Sequence, residues 1–373
     1  MANADHPFLH LAAPQIAGLT PYIPGKPVSE LERELGIRDA VKLASNENPL
    51  GCGEAARAAY LAAAAELARY PDGGAFALRG AIAEHHGVDA AQVTVGNGSN
   101  DVLDLVARTF LGPGLDSVFS EHAFAVYPIA TQAVGATARV APARDYGHDL
   151  DAMAALVSAR TRVVWIANPN NPTGTWVAAE PLRAFIAALP AHVIAVVDEA
   201  YFEYVEAPDY PDAGAWLADC PNLIVTRTFA KVHGLAALRV GYGLSHPAVA
   251  ELLNRVRAPF NVNAPAQAAA VAALGDAEHV ARSVAHNRTE RARLAAGLAE
   301  LGLDVIPSVC NFVTVDLGRP VGFVDQALLR RGVICRPVAN YGLPNHLRIS
   351  VGLAHENDRL LAALAAVLAE PAA

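Results

Sequence analysis

Four polar loops, each following a short apolar run, carry the residues of this sequence that could do chemistry. The run QVTV leads into Gly96-Asn97-Gly98-Ser99-Asn100-Asp101 and then into the apolar stretch VLDLVARTF. The loop's amides would open a helix, where unpaired N–H groups and the helix dipole favour an anion. The loop is not a dinucleotide fingerprint, because Asp101 stands where G-x-G-x-x-G needs its third glycine. On its own it reads equally as a phosphate cradle or a tight turn.

After RVVWIA comes Asn168-Pro169-Asn170-Asn171-Pro172-Thr173-Gly174. Prolines fix φ and asparagines supply amide donors and acceptors, so this is a stiff turn or a loop aiming a side chain at a ligand. HVIAVV ends in Asp198-Glu199-Ala200-Tyr201. An acid after such an apolar run is poorly solvated and needs a cationic or proton-sharing partner, either a structural arginine or a ligand group such as a protonated pyridine nitrogen. NLIV leads into Thr226-Arg227-Thr228-Phe229-Ala230-Lys231, with Arg239 in the next strand. A lysine buried near other cations keeps a free amine, the form that attacks a carbonyl to make an imine. A surface lysine is the plainer reading of that residue alone; the four loops in succession favour the chemical one.

These loops need a scaffold that brings strand ends together. Between about residues 75 and 245, β-branched runs (QVTVGN, SVFS, RVVWIANP, HVIAVVDE, NLIVTRTF, LRVGYGL) alternate with Ala-rich helical stretches. That alternation predicts a mainly parallel sheet covered by helices, with ligands outside the carboxyl ends of its strands. The expected fold class is α/β. Residues 1–45, an N-terminal arm together with part of the small domain and including the short helix VSELERELG, precede a large domain over 46–262. A smaller α+β domain over 263–373 is expected to comprise a long helical pattern from NVNAPAQ to ELGLDV, the strand NFVTVDL, a helix, GVICRP, HLRISVG and a closing helix.

Composition narrows the partners. At 373 residues, with 53% hydrophobic and 17% charged, the chain can build more than one sizeable core. A formal charge of −9 with no basic block predicts no nucleic acid, and no stretch reaches the length of a membrane span. Cys52, Cys220, Cys310 and Cys335 lie far apart without CxxC spacing, as free thiols of a reducing compartment would. The start MANADHPFLH predicts no secretory leader, which gives a cytoplasmic expectation. His85, His86 and His233 lack ligand spacing, so no metal is expected.

At these motifs the sequence resembles the fold-type I aminotransferases, from PYIPGKP to LRISVG. KLASNENPLG, RYPDG, ANPNNPTG, VVDEAY and RTFAKVHGLAALRVGYG are most similar to the histidinol-phosphate aminotransferase family. The resemblance implies a large domain with a mostly parallel seven-stranded sheet, a smaller C-terminal domain and an N-terminal arm. It implies pyridoxal 5′-phosphate held by Lys231, which also shuttles the proton. Asp198 would pair with the pyridine nitrogen, and Asn171 and Tyr201 with the phenolic oxygen. Gly98, Ser99, Asn100, Thr228 and Arg239 would hold the phosphate, with Tyr70 from a neighbouring subunit of a homodimer with shared sites. Tyr22, Asn46, Arg336 and Arg348 would face the substrate, an amino donor such as L-histidinol phosphate or the acceptor 2-oxoglutarate. An aromatic amino-acid aminotransferase, or an amino-acid-phosphate decarboxylase on the same fold, would share most of these groups.

The sequence departs from the family pattern twice. Phe124 stands where a tyrosine usually stacks on the pyridine, and a phenyl ring still stacks. Ala230 replaces the hydroxyl before the lysine, removing a phosphate hydrogen bond worth about 1 kcal/mol.

Overall fold

The computed structural model describes residues 7–370; residues 1–6, at the start read above for a leader, and 371–373 lie outside it. The six apolar runs and one further strand form one sheet: β1 (Val93–Gly96), β2 (Asp116–Ser120), β3 (Thr137–Ala141), β4 (Thr161–Ala167), β5 (Ile194–Asp198), β6 (Leu223–Thr228) and β7 (Gly241–Ser245). Their order is β1-β7-β6-β5-β4-β2-β3, parallel except for β7, which runs antiparallel to β1 and β6. The central strands β4 and β5 are almost wholly apolar because both faces are covered. Val164, Ile166, Ala195, Val197 and Val225 enter the core on one face. Val163, Trp165, Val196 and Ile224 enter the other, against α1 (Ser99–Phe110).

β3 is the strand no apolar run announced. It lies at the sheet edge with most of its residues exposed or half-exposed, so it has no need of a buried face.

The helical pattern after NVNAPAQ is two helices, α2 (Ala264–Leu274) and α3 (Ala277–Glu300), parted at Gly275 and Asp276. The Asp276 side chain accepts from the His279 N–H at 3.0 Å, capping α3. α2 buries Ala266, Ala269, Ala270 and Ala273 in the core of the large sheet. A second, antiparallel sheet holds β8 (Asp304–Ile306), β9 (Phe312–Asp316), β10 (Arg336–Pro337) and β11 (His346–Ser350), in the order β8-β9-β11-β10. Its core includes Leu294 and Leu298 of α3, Val324 and Leu328 of α4 (Val321–Arg330) and Leu360 and Leu364 of α5 (Ala354–Ala369). Val41–Lys42 pairs in parallel with Val333–Ile334, fastening the N-terminal segment to this second unit. Among the described residues, no helix is long and apolar enough to cross a membrane.

Candidate active site

The loops after β1, β4, β5 and β6 converge on a cavity of about 250 Å3 roofed by the arm and the second sheet. Every sequence-predicted site residue except Gly98 and Tyr70 lines it. Gly98 stands just behind, as the N-cap of α1 at φ 85°. Tyr70 is 81% exposed and stacks on Phe260 at 4.6 Å, away from this chain's cavity.

The cradle at α1 is built by close backbone approach. A Cβ on Gly241 would sit 2.4 Å from the Ser99 nitrogen, and one on Gly98 2.6 Å from a terminal nitrogen of Arg239. Glycine at both positions lets β7 and Arg239 press against the helix N-terminus, where the first amides lack intrahelical partners. Ser99, Asn100, Thr228 and Arg239 thus bring backbone and side-chain donors and a cation to one end of the cavity.

Asp198 is buried at 5% exposure, and among the described residues its hydrogen bonds come from hydroxyls rather than from an arginine. Its Oδ1 accepts from Thr226 Oγ1 at 2.9 Å and its Oδ2 from Tyr127 OH at 3.1 Å. Burial pushes its carboxyl up to about 6, with the two hydroxyls pulling part of the way back. The structural arginine serves the neighbouring acid: Arg227 donates to Glu199 Oε2 at 2.7 and 3.0 Å and to Asp212 Oδ1 at 2.6 Å, with its guanidinium over the Phe202 ring. Strand alternation separates the two acids' partners, since Thr226 and Thr228 face the cavity side and Arg227 the other. Glu199→Ala leaves Arg227 buried with only Asp212, and is expected to cost about 3–5 kcal/mol of unfolding free energy by denaturant titration; a loss below about 1 kcal/mol would sink that account.

Lys231 is partly buried, with Nζ 3.2 Å from the Ser45 carbonyl and 5.5 Å from the centre of the Tyr201 ring. Burial, reinforced by the Arg348 and Arg239 guanidinium groups, pulls its amine down to about 8. Tyr201 OH accepts from Asn46 Nδ2 at 2.9 Å, and burial pushes the phenol well above its ordinary value, so it stays protonated. Arg348 donates to Asn171 Oδ1 at 2.5 Å and to the Ala44 carbonyl at 2.7 Å, while its buried Nε has no partner. Arg336 donates to the Ile23 carbonyl at 2.6 Å and lies 5.8 Å from the Tyr22 ring centre. Both residues also line a groove of about 710 Å3 between the arm and the second unit.

Sequence reasoning missed Tyr127 and Thr226 as partners of Asp198, and Ser45 beside the lysine. Tyr127 sits in an ordinary apolar helix (Val126–Ala133) and carried no distinguishing pattern, whereas Thr226 had one, two residues before Thr228 on the same strand face. His85 and His233 meet Glu203 at a separate cavity, but among the described residues no group of three His, Cys, Asp or Glu could hold a metal ion.

The donor set fits pyridoxal phosphate: a buried acid whose partners are neutral hydroxyls, a lysine with a lowered amine, and an anion cradle with a guanidinium, on one cavity. That combination on this sheet defines a fold-type I aminotransferase. The chain matches the model of the aminotransferase class I and II family over residues 38–365. It is 62% identical to histidinol-phosphate aminotransferase 2 of Pseudomonas fluorescens over 97% of this chain and 98% of that one. It is 61% identical to the Pseudomonas aeruginosa protein of the same name, over 97% and 99%. The crystal structure of histidinol-phosphate aminotransferase from Sinorhizobium meliloti, in complex with pyridoxal-5′-phosphate, superposes with a TM-score of 0.87 at 31% identity, covering 96% of this chain and 97% of that one. The chain belongs to the class I and II aminotransferases and, within them, to the histidinol-phosphate aminotransferase family.

Proposed function

We propose that this enzyme transfers the amino group of L-histidinol phosphate to 2-oxoglutarate, giving imidazole acetol phosphate and L-glutamate, as a step of histidine biosynthesis. The observation that carries the reading is the meeting, on one cavity, of Lys231 and Asp198 with three separate guanidinium groups, Arg239, Arg336 and Arg348. Arg239 belongs to the cofactor's phosphate cradle. The other two remain to hold anionic groups of substrates, a task suited to guanidinium.

Pyridoxal 5′-phosphate, when bound, supplies the electron sink that makes the substrate Cα–H acidic. Lys231 Nζ is the nucleophile that holds it and then carries the proton from the substrate carbon. Asp198 would keep the ring nitrogen cationic, and Asn171 and Tyr201 would hold the phenolic oxygen. Phe124 would pack on the ring, and Gly98, Ser99, Asn100, Thr228 and Arg239 would hold the phosphate. Asn46 holds Tyr201 in place. Arg336 with Tyr22 receives the phosphate end of the donor, and Arg348 the carboxylate of 2-oxoglutarate or glutamate.

The active form is a homodimer in which Tyr70 reaches the neighbour's cofactor phosphate. What supports this is the exposed apolar surface around it: Tyr70, Phe76 at 84%, Leu67 at 70% and Leu61 at 61%. We place the enzyme in the cytoplasm, in keeping with its four unpaired cysteines.

The test is a half-reaction titration of the holoenzyme, following the cofactor's visible absorbance as L-histidinol phosphate, histidinol, L-phenylalanine or L-tyrosine is added. Conversion at far lower concentration of histidinol phosphate supports the assignment; preference for an aromatic amino acid would move the function to aromatic transamination. In the same assay Arg336→Ala is expected to weaken histidinol phosphate by roughly 10–100-fold while phosphate-free donors change by less than about threefold. Equal weakening of both would refute the role given to Arg336.

The lowered lysine has its own signature. In cofactor-free enzyme the rate of capture of pyridoxal 5′-phosphate should rise with pH and level off above about 8, as the amine loses its proton. A midpoint in the ordinary lysine range, measured by stopped-flow absorbance, would show that Lys231 is solvated.

A further inference from the structure

Tyr127 lies outside the cavity lining, yet it touches two groups assigned to the pyridine ring. Its hydroxyl donates to Asp198 Oδ2 at 3.1 Å. Its ring meets Phe124 edge-on at 5.9 Å, and stacks on Trp165 of β4 at 5.3 Å with the planes 6° apart. It is completely buried. The phenol is therefore fixed by aromatic packing before any ligand arrives, and its one polar atom is spent on the acid.

The other carboxylate oxygen is held from a different element, by Thr226 of β6. Two donors from a helix and a strand, one to each oxygen, stop rotation about the Cβ–Cγ bond. Each oxygen keeps a further acceptor site. Both donors are neutral. A guanidinium in either place would quench the negative charge, whereas hydroxyls orient the carboxylate and leave its charge for a ligand cation.

We infer that Tyr127 is a positioning residue for the reaction: through its hydroxyl it aims the Asp198 carboxylate at the cofactor's ring nitrogen, and through its ring edge it sets the height of Phe124 over the same ring. This rests on the reading of Asp198 and Phe124 given above. It also accounts for a stacking residue without a hydroxyl, since Phe124 is located by packing against Tyr127.

The test uses Tyr127→Phe, which keeps the aromatic packing and removes only the hydroxyl. In the cofactor-free protein, 13C NMR of the Asp198 carboxyl reads its titration without reference to activity. The titratable groups facing that carboxyl are Lys231, Tyr201 and Tyr127 itself. Loss of one donor to the ionised form should raise the Asp198 midpoint by roughly 0.5–1 pH unit. In the holoenzyme kcat should fall by about tenfold with KM within about twofold, because no substrate contact is touched. An unchanged Asp198 titration would overturn the inference and leave the reading of Asp198 intact. A shifted titration with unchanged kcat would show that aiming the acid does not matter to the reaction. Should Tyr127→Phe fail to fold, Thr226→Val removes the opposite donor, and the clamp predicts the same direction in both readouts.

Discussion

Lys231→Ala is expected to lower turnover by at least about 10^4-fold, the combined scale of losing a positioned proton carrier and the nucleophile that holds the cofactor. No neighbour can take over the proton. The Tyr201 phenol is pushed too high to act as a base, and the Asp198 carboxylate, held by Thr226 and Tyr127, is assigned to the ring nitrogen rather than to the substrate carbon. The Ser45 carbonyl beside Nζ carries no proton to give. The measurement is a single-turnover reaction with histidinol phosphate, together with the spectrum of the purified variant. The variant should lose the covalent cofactor's visible band, and small primary amines added to the buffer should restore part of the rate. Turnover within tenfold of the parent enzyme, or an unaltered cofactor band, would remove Lys231 from its assigned role.

Asp198→Asn should lower kcat by roughly 10^2–10^3-fold, the scale seen when a preorganised electrostatic contact is removed from a developing charge. Its second effect has the opposite sign. In the cofactor-free protein the Asp198 carboxyl sits near 6 against an ordinary 3.8. The folded state thus holds a proton that the unfolded chain releases, so stability falls as pH rises from about 4 to about 6 and stays lower above that. The asparagine variant lacks this penalty. Without cofactor it should be more stable than the parent above pH 6, by up to about 3 kcal/mol, while at pH 4 the two converge. Denaturant melts at the two pH values decide the matter. A variant less stable than the parent above pH 6 would mean that the carboxylate is solvated or paired in the empty site, contrary to its two neutral partners.

The parts of the fold that the sequence announced are those where burial dictates composition. β4 and β5 are apolar on both faces and β6 opens on the apolar run LIV, so both their position and the polar residues after those runs could be read from the runs alone. Lys231, Asp198 and Asn171 were legible because each breaks such a run at a strand end. β3 was not, because an edge strand with exposed residues need not be apolar. The break between α2 and α3 was legible in principle, since glycine followed by a capping aspartate is a stop and start signal, but unbroken alanine-rich periodicity masked it. Tyr127 was out of reach: its role comes from a hydroxyl that meets a strand distant in sequence, and nothing local to the helix encodes that meeting.

The segment from Leu43 to Asn48 is tied on every side. Leu43 donates to the Ile334 carbonyl and accepts from the Ser350 N–H, and Ala44 accepts from Arg348. Ser45 accepts from Lys231, Asn46 bonds Tyr201 and Ser350, and Asn48 donates to Val232 and Ser283. A stretch this short is thus stitched to the second sheet, to α3 and to the strand-end loop bearing the lysine. Neither core can come apart without tearing contacts that the other depends on. Despite its two structural units, each with its own hydrophobic packing, the protein should melt in one calorimetric transition, and cutting the chain beside this segment should be what splits that transition in two.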